Sequence, residues 1–377
     1  MIYLDHAATT PLPEAVADTM YDVLRHQFGN PSAQYPLGRE AKELVEEARR
    51  TIAGALGCQP LALHFTSCGT ESDNWAIRAA AWQGRHTGRH IITTAVEHSA
   101  VLEPCRQLEQ EGYEVTYLKP DRTGHISAGQ VAEALREDTV LVSVMLVNNE
   151  TGCLFPVADI ARLLKERGSR ALLHCDAVQG FLKVPCDPAG WGVDLMSLSA
   201  HKLGGPKGIG ALYVRPDLRN LRPLLAGGGQ EEGLRSGTEA TAQIAGFAKA
   251  VALRQEGLEE KLAHMARIKA YCRERLLSIP GVVPVGGGEA PHILAVSLVG
   301  YPSANVINDL GSQGICLSAG SACHRGKASR GYAALGLDKR TAAGVLRLSF
   351  GPETTEGDID ALYEALLRHK NTRFSML

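Results

Sequence analysis

Apolar stretches of strand length alternate with segments whose apolar positions recur every three or four residues, through the first two thirds of the chain. Such an order predicts a mainly parallel sheet, its strands buried on both faces beneath helices. The predicted strands are 62–66, 90–94, 114–118, 139–147, 171–175, 195–199 and 208–214. Helices are predicted between them, among others at 71–83, 99–110 and 157–166. The fold class is α/β.

The amphipathic stretch 242–277 has no proline and few breakers, so it predicts one or two long helices bridging to a second unit. Beyond it, strands are expected at 293–298, 315–318 and 345–350, and helices at 303–311 and 356–368, which makes a smaller α+β lobe. The glycine clusters at 204–210, 227–229 and 286–288 predict loops.

A chain of 377 residues exceeds the size at which one core keeps growing, so two lobes sharing a cleft are expected. The N-terminal dozen residues can pack on either. The division taken here is a large domain over 14–255 and a small one over 1–13 with 256–377. The formal net charge of −2 gives no field-based reason to expect nucleic acid or an acidic membrane as partner. Neither a leader pattern nor a membrane-length apolar run is found, so a soluble, cytoplasmic protein with small ligands is expected. The nine cysteines are scattered, odd in number and without a CxxC pair, so reduced thiols are expected. Cys58, Cys105, Cys175, Cys272 and Cys316 fall in apolar stretches as small core residues. No residue cluster in the sequence requires a metal.

The candidate chemistry gathers at strand ends. Lys202 follows the strand 195–199 and precedes a glycine-rich turn, where an amine can be desolvated and form an imine with an aldehyde cofactor. Thr66-Ser67-Cys68-Gly69-Thr70-Glu71-Ser72 joins a strand to a helix start, a place for a phosphate on Gly69 and Thr70. Asp176 ends another strand, where a carboxylate can keep a pyridine nitrogen protonated, with Gln179 in reach of a ring hydroxyl. His98 follows a further strand and can stack on a flat ring or move a proton. Asn148-Asn149-Glu150-Thr151-Gly152 places polar groups after a wholly apolar run. Ligands of open α/β sheets sit outside the carboxyl ends of the strands, and all these motifs fall there. Together they are the parts that pyridoxal 5'-phosphate needs.

Those residues belong to a wider set: Tyr3-Leu4-Asp5-His6-Ala7-Ala8-Thr9-Thr10, Gly29-Asn30-Pro31-Ser32, Gly69-Thr70-Glu71-Ser72-Asp73-Asn74, Glu97-His98, Asn148 to Gly152, Asp176-Ala177-Val178-Gln179, His201-Lys202, Arg235-Ser236-Gly237-Thr238 and Ser321-Ala322-Cys323. In order and spacing the chain resembles the cysteine desulfurases, class V enzymes of the fold-type I pyridoxal phosphate group, over essentially its whole length.

The resemblance implies that Lys202 carries the cofactor as a Schiff base and moves the substrate Cα proton. Asp176 would pair with the ring nitrogen, His98 stack on the ring and serve the thiols as acid or base, and Gln179 meet the ring oxygen. Thr70, Ser199 and His201 would hold the phosphate. Thr238 would reach the phosphate of a neighbouring subunit, implying a homodimer. Arg347, helped by Asn149, would grip the carboxylate of L-cysteine. Cys323, flanked by His324, Arg325 and Lys327, would accept the sulfur as a persulfide, leaving alanine. A sulfur-acceptor protein is the expected partner, iron–sulfur cluster assembly one destination, and selenocysteine lyase the alternative activity. Tyr35 stands where relatives often have histidine, and the loop from Cys323 to Arg347 is slightly short, which bears on partner choice.

Overall fold

The computed structural model describes residues 1–320 and 330–372. Its larger sheet has seven strands in the order Leu63–Thr66, Gly210–Val214, Leu195–Ser199, Leu172–Asp176, Thr139–Met145, His90–Thr94, Glu114–Leu118. Gly210–Val214 runs antiparallel to both neighbours, and the remaining pairs are parallel. Thr139–Met145 is buried at every position, as a central parallel strand covered on both faces must be. The edge strand Glu114–Leu118 is buried only at Leu118. Polar residues within the sheet are tied to one another. His174 bridges Ser143 at 2.8 Å and Ser197 at 3.0 Å, across three strands. His90 likewise joins Thr139 and Thr116. Pairing of this kind removes the cost of burying them.

Element ends differ from the sequence pattern for local reasons. Pro60–Ala62 forms a short 3-10 turn, so the first strand of the sheet begins at Leu63. The long apolar run after Thr139 stops pairing at Met145, because Val147 and Leu154 bridge each other around a turn. The stretch 242–277 is two helices, Thr241–Gln255 and Leu258–Leu277, broken where Gly257 takes φ 59°. Two helices that the apolar pattern does not single out, Glu14–His26 and Pro36–Leu56, pack against Thr241–Gln255. The first buries only Val16 and Val23, too narrow a stripe to stand out.

The second sheet is antiparallel, with Ile293–Leu298 between Val282–Pro284 and Val345–Ser349. Leu258–Leu277 and Glu356–Thr372 pack on each other over its apolar core. The predicted strand 315–318 is confined to Ile315–Cys316, which pairs in parallel with Ile2–Tyr3; Ser318 instead bridges Arg347. Leu4 enters this smaller core and its carbonyl accepts from Ser349 N at 2.8 Å. The loop before Ile293 meets the turn after Met145 where Ala290 N donates to Gly152 O. All eight described cysteines are free thiols; Cys105, Cys175 and Cys272 are buried, whereas Cys58 and Cys316 are only partly so.

Candidate active site

The carboxyl ends of the parallel strands open on a cavity of about 280 Å³. Gly69, Thr70, His98, Asn149, Asp176, Gln179, Ser199, His201, Lys202 and Arg347 all line it. A larger cavity of about 570 Å³ adjoins Lys202 on the side of Lys183 and Arg254, but the strand-end motifs face the smaller one.

Helix Gly69–Gly84 starts without a side-chain cap on its N-cap residue, Cys68. Ser72 does not cap it, because its hydroxyl is engaged by Thr66, Cys68 O and Ala211 O. The first N–H groups therefore keep their unmet hydrogen-bonding capacity and their share of the helix dipole. A Cβ on Gly69 would come within 2.8 Å of Val178 Cγ2 and 3.4 Å of Ser199 Cβ, so glycine lets the helix start settle onto the strand end. Ser199 Oγ lies there buried and without a hydrogen-bond partner. An uncapped helix start beside an orphaned hydroxyl suits a phosphate.

Lys202 follows Ser199 in a single 3-10 turn. Its Nζ donates to Ala7 O at 2.7 Å and Ala8 O at 2.8 Å. Gln179 Nε2 donates to the same Ala7 O at 2.8 Å, and its Oε1 accepts from Lys183 Nζ at 3.2 Å. The N-terminal strap is thus part of the site. The motif from Tyr3 to Thr10 was its only sequence signal, since the groups it supplies are backbone carbonyls.

Asp176 is buried, and one carboxylate oxygen accepts from Val178 N at 2.9 Å. Burial raises its pKa, while His98 and Lys202 pull it back down. His98 is the N-cap of helix Ser99–Gln110, with Nδ1 accepting from Ala100 N at 3.2 Å. A backbone N–H can only donate, so the neutral ring carries its proton on Nε2. Beneath it, Glu97 Oε1 accepts from Thr94 Oγ1 and Met145 N, and burial pushes this carboxyl up to about 8. His201 meets Thr9 Oγ1 at 3.2 Å and is lowered to about 4, first by burial and then by the charges of Lys202, Lys183 and Lys207.

Arg347 reaches the cavity from the second sheet, 2 % exposed. It donates to Asn149 O at 3.0 Å and Asp5 Oδ1 at 2.8 Å, and its Nε is buried without a partner. Asn149 thus meets it through its backbone carbonyl. Thr238 is exposed and is not among the residues lining the cavity of its own chain. Nearby, Arg235 clasps Glu71 through Nε and Nη2 at 2.8 and 3.1 Å. Cys323 lies outside the described residues. Before it, Gly320 at φ 115° packs so closely on Tyr332 that a Cβ would sit 2.9 Å from the ring; after it, Tyr332 Oη donates to Glu150 O.

These groups fit pyridoxal 5'-phosphate: an anion cradle at Ser199, a buried carboxylate at Asp176 and an amine at Lys202 surround one space.

The sequence profile of the class-V aminotransferases matches residues 2–362. The putative cysteine desulfurase IscS 1 of Bacillus subtilis (strain 168) is 42% identical over 356 residues, 93% of each chain. The cysteine desulfurase IscS of Vibrio campbellii is 41% identical, over 97% of this chain and 91% of its own. Among solved structures, a NifS-like protein superposes with a TM-score of 0.93 at 35% identity, covering 99% of this chain and 100% of that one. Another, described as SspA in complex with cysteine, gives 0.81 at 35% identity, covering 94% and 100%. With Lys202, Asp176 and Ser199 at the strand ends and this likeness along nearly its full length, the chain belongs to the cysteine desulfurase family of pyridoxal phosphate-dependent class-V aminotransferases.

Proposed function

We propose that the chain converts L-cysteine to L-alanine and takes the substrate sulfur onto Cys323 as a persulfide for delivery to an acceptor protein. One observation carries this reading: Lys202, Asp176 and the orphaned Ser199 hydroxyl share a cavity with an arginine from the other sheet. Pyridoxal 5'-phosphate, when bound, supplies the electron sink for a carbanion at the substrate Cα.

Lys202 would hold the cofactor through Nζ, and its amine would carry the proton of the substrate Cα. Gly69, Thr70, Ser199 and His201 hold the phosphate. His201 does so as a neutral ring, consistent with its depressed pKa. Asp176 would pair with the ring nitrogen. Burial disfavours its lone anion, so a cationic nitrogen beside it stabilises the carboxylate and is stabilised in return. His98 would stack on the ring and move protons at Nε2, Gln179 would meet the ring oxygen, and Asn149 would help orient the substrate. Arg347 receives the substrate carboxylate on Nε and an Nη, the fork geometry such a pair uses.

Cys323 thiolate attacks the substrate sulfur. An S–S bond forms, the S–C electron pair stays with carbon, and that carbon takes up a proton on its way to alanine. The exposure of Thr238 supports a homodimer in which it contacts the phosphate of the neighbouring subunit. The two lobes, 14–255 and 1–13 with 256–377, close around the substrate. No described helix is long and apolar enough to cross a membrane, and we place the enzyme in the cytoplasm, where it supplies sulfur to iron–sulfur cluster assembly.

The test is a comparison of Cys323→Ala with the parent. The variant is expected to keep the cofactor's absorbance and to lose both the persulfide seen by mass spectrometry and sulfide release from cysteine. Release at the parent rate would sink the proposal. Parallel assays with selenocysteine separate desulfurase from selenocysteine lyase.

A further inference from the structure

Away from the cavity, three residues distant in sequence come together. His125, Cys153 and Glu289 place one nitrogen, one sulfur and one carboxylate oxygen within 4.8 Å of one another. Each belongs to a different segment: the turn after Asp121, the end of the Asn148–Cys153 turn, and the loop before strand Ile293–Leu298.

The segments are laced by backbone bonds. Gly287 N donates to Thr123 O at 2.8 Å, and Ala290 N to Gly152 O at 2.9 Å. Lys269 Nζ fixes the loop from behind through the carbonyls of Gly288 and Ala290. Glu289 Oε2 accepts from Leu154 N at 3.0 Å. Gly124, at φ 94°, lets the sulfur in: a Cβ there would lie 2.9 Å from Cys153 Sγ. The donor atoms are therefore held by structure rather than brought together by loose side chains.

The histidine is oriented by a relay. Thr123 Oγ1 donates its single proton to Asp121 Oδ1 at 2.7 Å, so it accepts from His125 Nδ1–H, also at 2.7 Å. The other nitrogen, Nε2, faces Glu289 Oε1 at 2.6 Å. At that distance a proton is shared between the ring nitrogen and the carboxylate, and a cation takes that proton's place once the two groups part. Metal-bound histidines have the same arrangement, the second ring nitrogen donating to a hydrogen-bonded outer group.

We propose that His125 Nε2, Cys153 Sγ and the Glu289 carboxylate bind one divalent cation of the zinc class, water filling the fourth position. A set of thiolate, imidazole and carboxylate is borderline-soft, which favours zinc over magnesium or calcium. Binding releases two protons to solvent, the Cys153 thiol proton now donated to Thr123 O and the one held between His125 and Glu289, and opens the His125–Glu289 contact. The cation fastens the loop between strands Val282–Pro284 and Ile293–Leu298 to the turn that carries Asn149 and Glu150. Residues so far apart along the chain gave no ligand spacing in the sequence.

The cofactor-loaded enzyme, incubated with zinc and desalted, is expected to retain about one zinc per chain, with X-ray absorption giving one sulfur at about 2.3 Å. Cys323→Ser should retain it equally. His125→Gln and Cys153→Ser should lose it, and Thr123→Val, which removes the orienting hydroxyl, should weaken binding about 10- to 100-fold. His125 is partly exposed, so its variant keeps the test decisive if Cys153→Ser does not fold. Zinc absent from the parent, or retained unchanged in His125→Gln, overturns the assignment.

Discussion

Arg347 and Asp5 form an ion pair of 2.8 Å that joins the second sheet to the N-terminal strap, leaving Arg347 Nε as a buried donor with no partner. An incoming carboxylate therefore finds a fork already aimed and already desolvated. Arg347→Lys keeps the charge but loses the fork. We expect kcat/KM for cysteine to fall about 100-fold, equivalent to about 2.7 kcal/mol, with the cofactor spectrum unchanged. A change under about threefold would remove Arg347 from substrate binding.

Ser199 separates cofactor binding from fold stability. Its hydroxyl has no partner within the protein. Ser199→Ala should therefore leave the melting temperature of the cofactor-free protein unchanged or raise it slightly. Cofactor affinity should drop about tenfold, as befits one lost hydrogen bond to a charged group. Equal losses in both measurements would argue that the hydroxyl is structural.

Glu97 gives stability a pH dependence of predictable sign. Its ordinary pKa of 4.5 is pushed to about 8 by burial. Between those values the unfolded chain has shed the proton while the folded one keeps it, so stability falls as pH rises, by roughly 1.4 kcal/mol per pH unit from this group. Glu97→Gln can still accept from Thr94 and Met145. Its stability relative to the parent should grow from pH 5 to pH 8 in cofactor-free denaturation curves. A constant difference would mean that Glu97 is ionised throughout.

Glu231 holds the segment leading to Thr238. It has φ 48° despite being non-glycine, and it is clasped by Arg49 at 2.7 and 2.9 Å while also accepting from Phe65 N. Glu231→Ala strands a buried guanidinium, so unfolding free energy should drop by about 3–5 kcal/mol. Adding Arg49→Met should restore part of it. If the double variant is no better than the single, the cost lies in the Phe65 N–H left without its acceptor instead of the unpaired charge.

The sheet was legible because its strands, buried on both faces, are written as unbroken apolar runs such as Thr139–Met145. Strand ends were less so, because Val147 and Leu154 turn an apolar run back on itself without any polar punctuation. In the cavity, side chains with chemistry of their own announced themselves: Lys202, Asp176, His98, Arg347. The contributions of Ala7 and Ala8 did not, since a backbone carbonyl has no residue identity. Gln179 was expected at the ring but is also held at both ends by Ala7 and Lys183, a commitment only packing reveals. Asn149 meets Arg347 through its carbonyl, a contact its amide side chain did not foretell. Thr238 was recognisable by motif, yet it does not line the cavity of its own chain.

The strap also imposes an order on manufacture. Its residues are made well before their partners, of which Lys202 comes first, Cys316 later and Ser349 last. The strap must wait undocked until those partners are made, and contacts of such sequence separation form slowly. Until Ser349 is made, Lys202 therefore lacks the docked carbonyls that hold it, and its amine is set in place late.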